Sequence, residues 1–208
     1  MEITLHYVKK KVIFMTEAGN KTRNRILKAA WQLLEDGKGN GVRMSDIAKR
    51  AGVSRQAVYL HFETRLDLLV ATTLYLDEVK GIDERLGPSR AAVDGISRLT
   101  EFIDAWGNYI PEIYGVAKAL MALEATDTAA AEAWKARMQA VRHGCAAAIH
   151  ALERDGQLST NYTVEQATDM LWLFLSVRSW EQLTRDSGWS QADYISHMQA
   201  LALATFVC

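Results

Sequence analysis

The sequence predicts an all-α protein, on three observations. Its 208 residues include only two prolines. Long segments are rich in Ala, Leu, Glu, Gln, Met and Arg, which lose little freedom on entering a helix. Apolar positions recur at spacings of three and four, and no segment shows the strict alternation of a half-buried strand. With 49% hydrophobic and 24% charged residues, the chain has enough apolar side chains for a sizeable core.

The elements follow in order. Residues 1–20 do not join the helical pattern and are expected to form a poorly ordered tail. Met15 opens the polar lead-in MTEAGNKTRN and is a candidate start, with the preceding segment either an extension or a basic arm. From Thr22, a plausible N-cap, to Glu35, the residues Ile26, Leu27, Ala30, Trp31, Leu33 and Leu34 mark one face of an amphipathic helix, which the glycines at 37, 39 and 41 end. Thr64 is a further candidate N-cap, for a helix through Leu66, Leu69, Val70, Thr73, Leu74 and Leu76 towards Leu86. Gly87-Pro88 punctuates the chain, and helices are expected near 89–107, 109–125, 128–155, 163–187 and 190–206.

Between the first two of these helices lies RMSDIAKRAGVSRQAVYLHF, residues 43–62. It reads as two short helices joined at a tight turn. Ser45 is a plausible N-cap for Asp46 to Ala51, with Ile47, Ala48 and Ala51 at helical spacing. Gly52 can take the left-handed conformation that closes a helix, Val53 can plug into the core, and Ser54 can cap the next helix. That second helix turns Ala57, Val58 and Phe62 inward, Leu60 in part. Arg55, Gln56, Tyr59 and His61 are left on or near the outer face. Arginine and glutamine can bond base edges bidentately, tyrosine can reach a phosphate or a thymine methyl, and histidine can donate to a phosphate. Tyr59 can equally serve as a core aromatic, and His61 can cap or pair locally. An ordinary helical hairpin with a wet outer face would show the same short pattern.

Charge separates the two alternatives. The net charge is −1, yet residues 1–65 hold 13 Lys and Arg against 6 Asp and Glu, a balance of +7, and residues 66–208 hold 11 against 19, a balance of −8. The local field at the contacting face governs attraction to nucleic acid, so the basic region and the helix pair belong together. Cys145 and Cys208 have neither CxxC spacing nor a His or Cys cluster, so no metal site, cofactor or disulfide framework is expected. Cys145 is expected in the core. The longest strongly apolar run, Leu171 to Val177, is far short of the roughly 20 residues that span a bilayer. No membrane partner is expected, and the setting is expected to be cytoplasmic.

Taken together, T-R-x-x-I-L-x-A-A from Thr22 to Ala30, then Arg43 to Ser54, then Ala57-Val58-Tyr59-Leu60-His61-Phe62 and a basic Arg65 resemble the DNA-binding domain of the TetR family of transcriptional regulators. The likeness covers residues 21–70 or so. Arg65 stands where the family often has lysine, and Trp31 is larger than the usual residue. The resemblance implies a homodimer of about nine helices per subunit, with a DNA-binding domain at 21–65 and a helical ligand-binding and dimerisation domain at 66–208. It further implies that Arg55, Gln56 and Tyr59 meet base edges, while Thr22, Arg43, Ser45, Ser54, His61 and Arg65 sit on phosphates, supported by the free N–H groups at the helix N-termini.

In the second domain Trp106, Tyr109, Tyr114, Met121, Trp134 and Met138 concentrate large, adaptable side chains on successive helices. Stripes of this kind are usually core, but in helical regulators of this family the corresponding helices enclose an inducer site. A mostly apolar or aromatic effector is the expectation, with Trp172 and Arg178 as further candidates. Arg178 lies in the run Leu-Trp-Leu-Phe-Leu-Ser-Val-Arg, where a buried guanidinium would need a carboxylate such as Glu181, an acid across a subunit interface, or an anionic ligand. The last two helices are apolar on more than one face, which predicts a helical dimer interface. The implied function is a dimeric repressor released from a pseudo-palindromic operator by a small molecule; an activator or a protein-controlled regulator has the same signature. An all-α enzyme is the remote alternative. It lacks any identifiable nucleophile–base pair, metal-ligand spacing or phosphate loop.

Overall fold

The computed structural model describes residues 17–37 and 42–208. Of the tail expected at 1–20, residues 1–16, Met15 among them, lie outside the described residues, as do the glycines at 39 and 41, whereas residues 17–20 are not a tail but the first turn of a helix. Among the described residues the protein is helical, with one isolated antiparallel bridge between Leu158 and Val207.

The helices in chain order are α1 (Glu17–Glu35), α2 (Met44–Ala51), α3 (Arg55–His61), α4 (Arg65–Val79), α5 (Ile82–Arg85), α6 (Gly87–Ala91), α7 (Gly95–Leu123), α8 (Thr128–Arg154), α9 (Val164–Phe174), α10 (Val177–Glu181) and α11 (Gln191–Phe206), with a π-helical turn at Gln182–Asp186. The chain forms two compact units. One holds the described residues up to Val79 together with Gly115–Met138, and the other holds Lys80–Tyr114 and Gln139–Cys208. The first unit therefore extends beyond 21–65, because α4 and parts of α7 and α8 belong to it.

In the first unit α1 packs on α2 and α4. Ile26, Leu27, Ala30 and Leu34 of α1, Ile47 and Ala48 of α2, Val58 of α3 and Leu68 and Leu69 of α4 are buried, as the apolar spacing requires. Thr22 lies inside α1 rather than at its start, since α1 begins at Glu17. Met44 already belongs to α2, whose N-cap is Arg43 with no side-chain bond, so Ser45 is in the first turn. Thr64 does cap α4, by a reciprocal pair: Asp67 N–H donates to Thr64 Oγ1 at 3.0 Å and Thr64 N–H to Asp67 Oδ2 at 3.1 Å. α4 stops at Val79 rather than near Leu86, where Gly81 takes a left-handed φ of 66°.

In the second unit the segment expected as helices at 89–107 and 109–125 is resolved differently. The short α6 ends at Ala91, Asp94 accepts from Ser97 N–H at 2.7 Å, and α7 then runs unbroken through Pro111. Proline has no N–H for the carbonyl of residue i−4, here Gly107. That carbonyl instead accepts from Gln191 Nε2 at 2.9 Å, while Gln191 Oε1 accepts the Trp180 indole N–H at 2.9 Å. One amide from α11 thus satisfies the bond that proline deletes. Gly95 allows close helix approach, as a Cβ there would lie 2.6 Å from Leu152 N.

The expected helix at 163–187 is broken. Leu175 ends α9, its carbonyl accepting the Trp106 indole N–H at 2.8 Å, and Ser176 opens α10 by accepting from Ser179 N–H at 3.1 Å. Periodicity does not register such a break, because the apolar face continues across it. Capping boxes at Thr163 and Ser190 set the starts of α9 and α11 close to the expected positions. Cys145 is buried, and burial pushes its thiol well above the ordinary range, which fits a core residue.

Candidate nucleic-acid interface

The turn between α2 and α3 is built from three devices, two of them local. Gly52 adopts φ 63°, ψ 41°, and its N–H and that of Val53 close α2 on the carbonyls of Lys49 and Ala48. Ser54 caps α3, accepting from Ala57 N–H at 3.1 Å. The third device is Arg25 of α1, whose Nη2 donates to the carbonyls of Ala51 at 2.6 Å and Gly52 at 3.2 Å. A guanidinium at a helix C-terminus answers both the free carbonyls and the negative dipole end. Sequence reasoning missed Arg25, because its partner is 26 residues away and no local pattern encodes it.

α3 divides cleanly. Val58 is fully buried, and Phe62 just beyond the helix is 4% exposed. Arg55, Gln56, Tyr59 and Leu60 are exposed, and so is Ser54 before them. Tyr59 is 40% exposed, so it belongs to the outer face rather than the core. Arg55 and Tyr59 support each other: Nη2 lies 3.4 Å from the phenol oxygen and the guanidinium carbon 5.6 Å from the ring centre. Leu60, expected to turn partly inward, is 81% exposed. Of the candidates for phosphate contact, Arg43 and Ser45 are exposed at the start of α2, while Thr22 and His61 are half-buried. Burial, and secondly the Arg23 guanidinium, hold the His61 imidazole below its ordinary value. Arg23 itself lies over the Phe62 ring at 5.3 Å.

Arg65 occupies a different post from the one expected. Its Nε donates to the Val42 carbonyl at 2.7 Å and its Nη1 to Asp127 Oδ1 at 2.6 Å, with both side chains about four-fifths buried, and its Nη2 is buried too. Asp127 also caps α8 through Ala130 N–H at 3.1 Å. Burial opposes ionisation of Asp127, but Arg65 and the cap together hold its carboxyl below the usual range. A second ion pair, Arg137 to Asp77 at 2.8 Å with both side chains 12% exposed, joins α8 to α4 in the same unit. These two pairs fasten the Gly115–Met138 segment to the helix-turn-helix unit.

The candidate effector residues divide between the units. Met121, Trp134 and Met138 belong to the first, Trp134 and Met138 being buried. Trp106, Tyr109, Tyr114, Trp172 and Arg178 belong to the second. There the Trp106 and Tyr109 ring centres are 5.9 Å apart and both rings are buried. Tyr114 hydrogen-bonds Glu181 and lies 5.0 Å from Trp180, and Arg185 covers both rings at 5.6 and 5.3 Å. Trp172 is half-buried. Arg178 is exposed rather than buried. Among the described residues no group of His, Cys, Asp and Glu is disposed to hold a metal. No described helix is long and apolar enough to cross a membrane.

An all-α chain that presents Arg55, Gln56 and Tyr59 on a capped helix beyond a glycine turn is a helix-turn-helix protein. Residues 26–72 match the model of the bacterial regulatory proteins of the tetR family, so this N-terminal segment is similar to that family's DNA-binding domain. It is 31% identical over 93 residues to the HTH-type transcriptional activator FasR of Mycolicibacterium smegmatis, a match spanning 44% of this chain and 41% of that protein. In fold it is similar to a TetR-family transcriptional regulator from Rhodococcus sp. (TM-score 0.71, 22% identity, 89% of this chain and 98% of that one). It is also similar to a transcriptional regulator from Saccharomonospora viridis solved with choline (TM-score 0.69, 18% identity, 91% and 99%). These are regulators rather than enzymes.

Proposed function

We propose that the chain is a homodimeric DNA-binding transcriptional regulator that reads a pseudo-palindromic operator through α3 and is released from it by a small molecule, acting as a repressor. The observation that carries the reading is the outer face of α3. Arg55 and Gln56 stand free of the core on a helix whose position is fixed by Gly52, Ser54 and Arg25. In this reading Gln56 pairs with an adenine edge and Arg55 with guanine, Tyr59 lies beside them, and Arg43, Ser45, Ser54, Thr22 and His61 meet phosphates. Arg65 sets the position of α4 instead.

Dimerisation is assigned to α9 and α11, which touch each other and leave Leu173 63% and Leu201 41% exposed. A two-fold pair of such faces would bury them and place two copies of α3 over successive major grooves. The effector is assigned to the aromatic part of the second unit, around Trp106, Tyr109 and Tyr114, and its class is apolar or aromatic. Choline in the Saccharomonospora viridis protein is one case of a small molecule held in this fold. Release follows if the ligand binds better to the form whose recognition helices are wrongly spaced.

The match to a protein named as an activator favours a second reading in which the same DNA complex recruits rather than blocks transcription. A gel shift with the DNA flanking the protein's own gene, across a salt series and with a panel of aromatic and lipophilic compounds, tests the binding. A sequence-selective complex that a thermally stabilising compound dissolves is the expected result. Absence of any selective complex at moderate salt overturns the reading. A reporter fused to that DNA separates the two signs of regulation.

A further inference from the structure

Leu60 is the residue of α3 that neither the core nor the polar readers explain. It is 81% exposed, twice the value of neighbouring Tyr59, while the buried side of the segment is complete with Val58 and Phe62. Single exposed leucines are common on protein surfaces and by themselves mean little. This one has a particular position. Arg55, Gln56, Tyr59 and Leu60 form one continuous outer face, in which Arg55 is bonded to Tyr59 and Leu60 lies one helical turn beyond Gln56. Residues four apart on a helix have Cβ atoms roughly 5–6 Å apart. Successive base pairs are about 3.4 Å apart. Gln56 and Leu60 therefore reach bases one or two steps from each other.

The most prominent apolar group on the major-groove edge is the thymine C5-methyl, which apolar side chains contact. Glutamine reads adenine on the same groove edge. We propose that Leu60 is a specificity-determining residue, packing on the methyl of a thymine one or two base pairs from the adenine that Gln56 reads. The inference rests on the DNA-reading function above and names the base feature that this face selects.

The test uses the full chain and an operator obtained by selection from random DNA. Each thymine of a half-site is replaced by deoxyuracil, which removes the methyl and leaves the base pair intact, and Kd is measured by fluorescence anisotropy. Burial of one methyl is worth a change of about 3- to 10-fold. One uracil position should weaken wild type by that factor. Leu60→Ala should bind the thymine operator weaker by a similar factor and be indifferent to that uracil, with an unchanged salt slope and unfolding midpoint. Leu60→Met, which keeps an apolar tip, should retain the sensitivity. If a selective complex forms but no uracil position matters, or Leu60→Ala keeps the full sensitivity, the role of Leu60 is overturned and DNA reading stands. If selection yields no preferred sequence, both fall.

Discussion

Replacing Arg65 by alanine separates a structural cation from a DNA-binding one. The change deletes the Nη1–Asp127 contact at 2.6 Å and the Nε–Val42 carbonyl bond at 2.7 Å, and it leaves Asp127, 19% exposed, with only the α8 cap as a partner. Bonds to charged groups contribute about 1.5–3 kcal/mol each, and truncating one side of a buried pair costs roughly 3–5 kcal/mol. Water still reaches part of both side chains, so a loss of about 2–4 kcal/mol is expected. For a chain of this size that corresponds to a fall in Tm of roughly 5–15 °C. Asp127 contributes stability above its unfolded pKa that is lost as pH falls through its depressed folded value, and the variant should show less of this acid-side loss. Thermal unfolding followed by circular dichroism, with urea titrations at several pH values, measures these effects. The slope of log Kd against log salt should remain as in wild type, whereas removal of a real phosphate contact lowers it by about 0.9. A Tm within 1 °C or so of wild type, together with a slope reduced by about one contact, would refute the assignment.

Two further outcomes are expected from the same region. Gly52→Ala forces a Cβ into φ 63° and sets it 3.2 Å from Arg25 Nη2, so the urea midpoint should fall by the equivalent of about 1–2 kcal/mol, with Gly52→Asn falling less; an alanine variant as stable as wild type would remove the strain argument. His61 is held below its ordinary value in the free protein by burial first and Arg23 second, and a phosphate oxygen beside it favours the protonated ring. DNA binding then takes up a proton, and affinity should rise, by no more than about tenfold per pK unit, as pH falls from about 7.5 to 6. His61→Gln should lose that part of the dependence, and equal pH slopes in the two proteins would exclude the contact.

The helix-turn-helix was legible because its determinants are local. Gly52, Ser54 and the spacing of Ile47, Ala48, Val58 and Phe62 each act within a few residues, and the structure shows them acting as expected. What escaped the sequence depends on partners far along the chain. Arg25 closes α2 from 26 residues away, and Arg65 finds Asp127 across 62. A basic residue at a family phosphate position looks the same in sequence whether it faces DNA or an interior carboxylate. The unbroken α7 has the same origin, since Gln191, 84 residues beyond Gly107, satisfies the carbonyl that Pro111 leaves free. Leu60 was misjudged for the opposite reason: periodicity on a seven-residue helix cannot decide a borderline position, and the core was already filled without it.

The central claim is that the outer face of α3 reads bases. Its most direct measurement is a base-substitution scan of one half-site of the selected operator, with affinities compared for wild type and Gln56→Ala. The predicted result is a loss of preference at one A·T position, worth about 1–3 kcal/mol in wild type and close to nothing in the variant, with preferences elsewhere and the salt slope retained. A variant that weakens equally on every sequence, or keeps the wild-type preference at all positions, would contradict it.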